Sequence, residues 1–131
     1  MRWGTIMTIG EISKITGISE SALRYYERKS LIQIARDVNN RRVYVQADIS
    51  WIQFIQKLKD TGMLLRDIQR YSALRYLGDS TMEERLKILE DHQKYVKEQS
   101  DKWQQYTRNL EDKMNYYRME IKKQSKSNQV N

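Results

Sequence analysis

The sequence predicts a mainly α-helical chain, in which a small head of short helices with one β-hairpin precedes a single long helix. Apolar residues recur at helical spacing through the first 78 residues, polar turn residues interrupt this spacing near residue 39, and a heptad repeat begins at Met82. Residues 1–78 hold 13 Lys and Arg against 7 Asp and Glu, whereas residues 79–131 hold 11 against 10. A basic head beside a charge-balanced helix favours a polyanion as the partner of the head.

The head begins with two helices that meet at a tight turn. Thr8 and Glu11 have the Thr-x-x-Glu spacing of a capping box, and Gly17 suits a left-handed helix end. Ser19 can cap a second helix over residues 20–29. Two short helices joined in this way form a helix-turn-helix candidate, although generic helix pairs share this spacing.

A short β-hairpin follows the second helix. Residues 32–36 and 42–45 have the character of strands, and residues 37–41 form a turn whose two asparagines tolerate positive φ. Arginines are concentrated in the hairpin: Arg36, Arg41 and Arg42. A basic two-stranded ribbon suits a phosphate backbone, while the simpler alternative is a solvated hairpin without a partner.

Two more helices complete the head, over about residues 47–61 and 66–77. Gly62 and Gly78 follow them. We therefore expect one compact domain over residues 8–78, preceded by a loose arm over residues 1–7.

The rest of the chain predicts one long coiled-coil helix over residues 79–121, capped by Ser80 or Thr81. Its apolar seam alternates steps of three and four residues over more than five heptads, a pattern typical of coiled coils. A seam this long needs a second helix to cover it, and the simplest partner is a second copy of the chain. The residues expected to make this dimer contact are Leu86, Leu89, Val96, Trp103, Leu110, Met114 and Tyr117.

Three polar residues interrupt the middle of the seam: Gln93, Ser100 and Thr107. They can fix the register or orientation of the pair, or they are tolerated because the seam is partly wet. Residues 122–131 are polar and without pattern, so we expect a disordered tail there.

The residue inventory argues against catalysis and against a bound cofactor or metal. The chain has no cysteine, which excludes disulfides, thiolate metal sites and a thiol redox sensor. It has one histidine, and a single histidine rarely makes a metal site. No phosphate-binding loop, nucleophile elbow or metalloprotease motif is present. No apolar run is long enough to span a bilayer and no secretory signal is visible, so we expect a cytoplasmic protein without membrane contact.

A specific string of residues resembles the MerR family of bacterial transcription regulators. It comprises Leu-Arg-Tyr-Tyr-Glu at 23–27, then Leu31-Ile32, and the spaced residues Arg36, Arg42 and Tyr44. The first helix, Ile9-Gly-Glu-Ile-Ser-Lys-Ile-Thr-Gly-Ile, also fits. The stretches Trp51-Ile-Gln-Phe-Ile and Met82-Glu-Glu-Arg-Leu-Lys-Ile-Leu are similar to the small branch associated with aldehyde or thiol stress.

The resemblance implies a winged helix-turn-helix head on a dimerisation helix that pairs antiparallel. Such a homodimer would bind a pseudo-palindromic operator in promoter DNA and activate by distorting the DNA, so that RNA polymerase is reached indirectly. The alternative is an architectural or recombination-accessory DNA binder with the same head; a coiled-coil adaptor without a DNA role would leave the basic hairpin unexplained.

The resemblance and the helix pattern together give the DNA-binding candidates. Tyr26 ranks lower than Tyr25, because one of two adjacent residues on an amphipathic helix faces inward. The candidates are Ser19, Ser21, Arg24, Tyr25, Arg36, Arg41, Arg42 and Tyr44.

Several residues depart from the family pattern. Ser30 and Asn40 stand where glycine is usual, Gln33 stands where proline is usual, and Lys57 stands where relatives of that branch often have a cysteine. Thiol sensing therefore does not transfer. A small-molecule effector stays open: five tyrosines could line a pocket or simply pack, namely Tyr71, Tyr76, Tyr95, Tyr106 and Tyr116.

Overall fold

The computed structural model describes residues 6–130 and contains five α-helices and one two-stranded sheet. The expected arm lies mostly outside the described residues, as does Asn131. The elements in chain order are α1 Ile9–Thr16, α2 Glu20–Arg28, β1 Ala35–Arg36, β2 Arg42–Val43, α3 Gln46–Asp60, α4 Leu65–Leu77, a 3₁₀ turn Asp79–Thr81 and α5 Met82–Val130. Among residues 6–130, no helix combines the length and the apolar character that crossing a membrane requires.

The first two helices start and stop where the sequence predicts. Thr8 Oγ1 accepts from the Glu11 amide at 3.2 Å, and the Glu11 carboxylate accepts from the Thr8 amide at 3.3 Å, which completes the capping box. Gly17 ends α1 with φ 72°, and Ser19 Oγ accepts from the Ala22 amide at the start of α2. The helix-turn-helix is thus fixed by local capping as well as by packing.

The chain forms two compact units, Met1–His92 and Gln93–Asn131. We call the first the head unit and the second the distal helix. The head unit extends beyond the predicted boundary at residue 78, because the first turns of α5 belong to it. Ile88 and Leu89 pack against its core, and Thr61 Oγ1 lies 2.7 Å from His92 Nε2.

One backbone carbonyl holds three elements of the head together. Leu31 follows α2, and its carbonyl oxygen accepts from the Trp51 indole N–H of α3 and from the Ser72 hydroxyl of α4, both at 3.0 Å. The groups are buried, so each bond satisfies a polar atom that water cannot reach. The end of α2 is therefore tied to both later helices.

The hairpin is shorter than the sequence suggests. Only Ala35↔Val43 and Arg36↔Arg42 pair as strand residues, whereas Tyr44 pairs with Met7 through two backbone hydrogen bonds of 2.8 and 2.9 Å. Met7 is also buried in the core. The expectation that residues 1–7 form a loose arm is therefore wrong for Met7, because its apolar side chain and its backbone both find partners in the head.

The long helix also differs from its prediction at both ends. Thr81 does not cap it in the expected way: its hydroxyl donates back to the carbonyl oxygens of Leu74, at 2.6 Å, and Gly78, at 2.8 Å. At the other end, α5 continues to Val130, through residues that we expected to form a disordered tail.

Candidate nucleic-acid interface

The second helix of the helix-turn-helix presents a polar face to solvent. Leu23 and Tyr26 are fully buried beneath it, while Ser19, Ser21 and Arg24 are exposed. Arg24 lies 3.7 Å from the Glu20 carboxylate, with both side chains nearly half exposed. An ion pair this exposed contributes no more than about 1 kcal/mol, so the guanidinium can exchange it for another acceptor.

Tyr25 is half-buried at the edge of this face and is surrounded by cations. The Arg28 guanidinium lies 5.7 Å from its ring centroid, and the ammonium groups of Lys29 and Lys59 lie 5.9 and 5.3 Å away. Lys59 also lies 4.9 Å from the ring of Tyr26, whose hydroxyl donates to Gln56 Oε1. The inward orientation predicted for Tyr26 is confirmed. The ring of Tyr25, by contrast, is surrounded by positively charged side chains.

The tip of the wing, residues 37–41, is organised by one carboxylate. Asp37 Oδ1 accepts from the amides of Asn39 and Arg41, each at 2.9 Å, and the Arg41 guanidinium lies 3.5 Å from Asp37 Oδ2. The Arg41 amide, above all, lowers the pKa of this carboxyl. Asn40 takes up the left-handed conformation, φ 61°, that the turn requires. Arg41 is thereby held at the tip with its side chain 74% exposed.

The wing is joined to α2 by a carboxylate to which the sequence analysis assigned no role. Glu27 Oε1 accepts from Arg42 Nε at 2.7 Å and from Arg36 Nη2 at 3.0 Å. The Glu27 side chain is only 18% exposed, so these charge-assisted bonds are partly shielded from water. The helix and the wing therefore present their basic groups in one fixed arrangement.

The start of helix α1 lies beside the wing arginines. Its first turn and the wing frame a shallow depression that opens between them. The residues that line it are Thr8, Ile9, Arg36, Asn40, Arg41 and Arg42. Three guanidinium groups around a depression suit an anionic group such as a backbone phosphate.

Tyr44 is the candidate that the structure does not bring to this surface. Its side chain is 0% exposed, and its hydroxyl is buried without a hydrogen-bond partner within the described residues. The expectation that Tyr44 contacts DNA is therefore wrong for this conformation. Its backbone pairing with Met7 places the ring in the core under the wing.

Replacing Tyr44 by phenylalanine should leave DNA affinity within about twofold and should raise the free energy of unfolding by up to about 2 kcal/mol, because an unsatisfied buried hydroxyl is removed. Burial raises the pKa of this hydroxyl above its usual value of about 10. The folded state therefore holds this proton more tightly than the unfolded state, so the stability does not depend on this group below about pH 10 and falls as the pH rises further. Tyr44→Phe should therefore weaken the alkaline loss of stability in urea titrations.

Tyr26→Phe is the matched control, since that hydroxyl does have a partner, Gln56. It should lower the free energy of unfolding by about 1 kcal/mol. A tenfold loss of DNA affinity in Tyr44→Phe would show instead that the Tyr44 hydroxyl contacts DNA.

Two groups of this surface, Glu27 and Lys59, were missed from sequence. Lys59 could have been placed, because it follows Ile55 by four residues and Ile52 by seven, so it lies on the same side of α3 as these buried residues although its own side chain is exposed. No local sequence pattern predicts that the Glu27 carboxylate bonds two arginines that lie nine and fifteen residues later in the chain.

On the distal helix and the turns before it, most of the expected dimer residues lie open to solvent. Leu86, Trp103 and Leu110 are 58%, 68% and 65% exposed, and Met114 and Tyr117 are also exposed. Leu89 is the exception, because it packs partly against the head core, and Val96 is half-buried. An apolar stripe of this size indicates a surface that another molecule covers.

Several known proteins are similar to this chain. Residues 7–74 match the family model described as MerR HTH family regulatory protein. An HTH-type transcriptional regulator of Haemophilus influenzae is 36% identical over 111 residues, covering 84% of this chain and 82% of that protein. The regulator AdhR of Bacillus subtilis is 37% identical over 86 residues, and the matched part covers 65% of this chain and 61% of AdhR.

Solved structures agree over most of the chain. The crystal structure of HiNmlR, described as a MerR family regulator lacking the sensor domain and bound to promoter DNA, superposes with a TM-score of 0.78 at 35% identity, covering 87% of this chain and 91% of that one. A structure described as a MerR family regulator from Listeria monocytogenes gives 0.81 at 30% identity, covering 85% of each chain.

Proposed function

Since the chain belongs to the MerR family of helix-turn-helix regulatory proteins, we propose that it is a sequence-specific transcription regulator that binds promoter DNA as a homodimer. The observation that carries this proposal is the single basic surface formed by the exposed face of α2 and the wing, joined through Glu27. HiNmlR, which is similar over nearly its whole length, was crystallised on promoter DNA. The relatives compared above are regulators by name, which gives the architectural alternative no support.

Within this proposal the two parts of the surface have different roles. Arg24 reads a base edge in the major groove, while Ser19, Ser21 and Tyr25 position the helix on the adjacent backbone. The wing arginines Arg36, Arg41 and Arg42 bind phosphates.

The seam of α5 brings two such heads together on a pseudo-palindromic operator. Activation by distorting the promoter would couple the protein to RNA polymerase through the DNA alone. Because its target is the chromosome of a bacterial cell, we expect it to act in the cytoplasm.

Arg24→Ala should weaken binding to the operator by about 1–3 kcal/mol and relax sequence preference at one base pair in each half-site. A guanidinium can bond two acceptors of a guanine edge at once, and alanine leaves them unpaired. Fluorescence anisotropy on the operator and on singly substituted operators, over a range of salt concentrations, measures both effects.

The salt dependence separates the two possible roles of Arg24. A base-reading Arg24 leaves the slope of log K against log salt unchanged, whereas loss of a phosphate contact lowers it by about 1. Arg108→Ala on the distal helix removes the same charge away from the head and should change neither. Equal weakening on every sequence would contradict base reading.

A further inference from the structure

One face of α4 forms hydrogen bonds with the segment between α2 and β1, residues 29–34, which we call the linker. The three side chains that form these bonds are spaced by three and four residues, which places them on one side of the helix: Gln69, Ser72 and Tyr76. Their partners are backbone atoms of alternate linker residues: the carbonyl oxygens of Lys29 and Leu31 and the amide of Gln33. The three distances are 2.9, 3.0 and 3.0 Å, so the linker is attached to α4 along its length.

The bond between the Gln33 amide and the Tyr76 hydroxyl is the last of these before the wing. Gln33 lies two residues before β1, and Arg36 in β1 donates to the Glu27 carboxylate at 3.0 Å. The first strand of the wing is therefore held at two points. Helix α4 holds it through the backbone, and helix α2 holds it through a side chain.

Packing of the Tyr76 ring fixes the place of its hydroxyl. The rings of Tyr76 and Trp51 are nearly perpendicular, at 88°, with their centroids 6.4 Å apart, and the Arg75 guanidinium lies 5.2 Å from the Tyr76 centroid. Trp51 is itself buried in the core. A phenol that is packed in this way presents its oxygen with little further loss of side-chain entropy.

The acceptor on Tyr76 suits the residue that occupies position 33. Gln33 stands where the family pattern has proline. Proline has a fixed φ and no amide hydrogen, so it would stiffen this point of the linker without needing an acceptor. Glutamine has neither feature, and its amide donates to Tyr76 instead.

We propose that Tyr76 is a positioning residue for DNA binding, whose hydroxyl holds the Gln33 amide and so fixes the wing at one distance from α2. Tyr76 acts through the linker backbone, and it replaces the restraint that a proline at position 33 would give. The inference rests on the proposed function, because the groups that are positioned are the wing arginines that bind phosphates.

A double-variant experiment tests this role, because Tyr76→Phe removes only the hydroxyl and keeps the ring. Tyr76→Phe should weaken binding to a random-sequence duplex of about 30 base pairs at low salt by about threefold, since the wing arginines no longer meet the phosphates at one spacing. Gln33→Pro should bind within about 1.5-fold of the wild type, and adding Tyr76→Phe to it should change the affinity no further, because the amide donor is already absent.

Tyr106→Phe is the matched control, since it removes the same hydroxyl from an exposed residue of the distal helix and should leave the affinity unchanged. An equal loss from Tyr76→Phe in the wild-type and Gln33→Pro backgrounds overturns the proposal, because the hydroxyl would then act by another route.

Hydrogen exchange followed by NMR tests the same contact without DNA and without a substitution in the linker. In Tyr76→Phe the Gln33 amide should exchange with solvent about tenfold faster than in the wild type. The Leu31 amide donates to the carbonyl of Tyr26 at 2.9 Å and should keep its rate. An unchanged rate at Gln33 overturns the proposal.

Spin labels measure the position of the wing itself. The chain has no cysteine, so Ser21→Cys and Val38→Cys place the only two thiols of each chain on α2 and at the wing tip. In labelled protein diluted with unlabelled protein, Tyr76→Phe should broaden the distance distribution between the labels, and an unchanged distribution overturns the positioning role. A wild-type protein that binds no duplex, while Gln33 and the labels respond as expected, would refute the proposed function and leave the attachment of the wing to α4 intact.

Discussion

Replacing Leu110 by glutamate should convert the protein to a monomer and lower its affinity for a two-half-site operator by about 100-fold or more. Leu110 is 65% exposed in the single chain and lies on the apolar seam. A carboxylate at the seam of both protomers would be buried without a partner, which strongly opposes association. Once the heads are separate, the second half-site no longer benefits from the high effective concentration that the first provides.

Gln105→Glu is the matched control for Leu110→Glu. Gln105 is an exposed residue of the same helix that lies outside the seam, and it receives the same added charge. Analytical ultracentrifugation should find this variant dimeric, with unchanged anisotropy on the operator. If Leu110→Glu stays dimeric, or if it becomes monomeric yet keeps its operator affinity, the assignment of the seam to the functional dimer is wrong.

Trp51→Ala should lower the free energy of unfolding of the head by about 3–5 kcal/mol. The ring is 5% exposed, stacks on Tyr71 with centroids 5.7 Å apart and lies beneath the Arg75 guanidinium at 4.4 Å. Alanine leaves a large cavity and also leaves the Leu31 carbonyl with one hydrogen bond fewer. Because whole domains are stable by only about 5–15 kcal/mol, this loss is a large fraction of the total.

Urea denaturation followed by circular dichroism, at one fixed protein concentration, measures the effect of Trp51→Ala. Trp51→Phe keeps much of the aromatic packing and should lose only about 1–2 kcal/mol, mostly for the missing indole hydrogen bond. Gln53→Ala, at an exposed position of α3, should change the stability by less than about 0.5 kcal/mol. A loss below 1 kcal/mol in Trp51→Ala would show that the head repacks around the gap.

Local chemistry explains which parts of this fold could be predicted from sequence. The capping box at Thr8, the cap at Ser19 and the inward orientation of Tyr26 depend on residues within one or two turns of each other, and all three are present. The two positions where the family usually has glycine, Ser30 and Asn40, both have φ 61°. Both sites therefore have the left-handed backbone conformation that a glycine favours, as the resemblance implies, although the residues differ.

Contacts between distant residues account for what was missed. The pairing of Met7 with Tyr44 joins residues 37 apart, and it explains both the ordered end of the arm and the burial of Tyr44. The side-chain bridges from Glu27 to the wing are of the same kind. A spacing pattern reports which face of an element is apolar, but it does not report which polar groups meet across the fold.

The carboxylate of Glu27 would compete with a DNA phosphate for the two wing arginines that it already binds. Arg36 and Arg42 already hold an anionic oxygen at 3.0 and 2.7 Å, so a phosphate gains from them only what exceeds that existing attraction. Phosphate contacts made by the wing alone therefore contribute less binding free energy. Because this weakening falls on the sequence-independent phosphate contacts, the contacts of α2 with base edges would supply a larger share of the binding free energy.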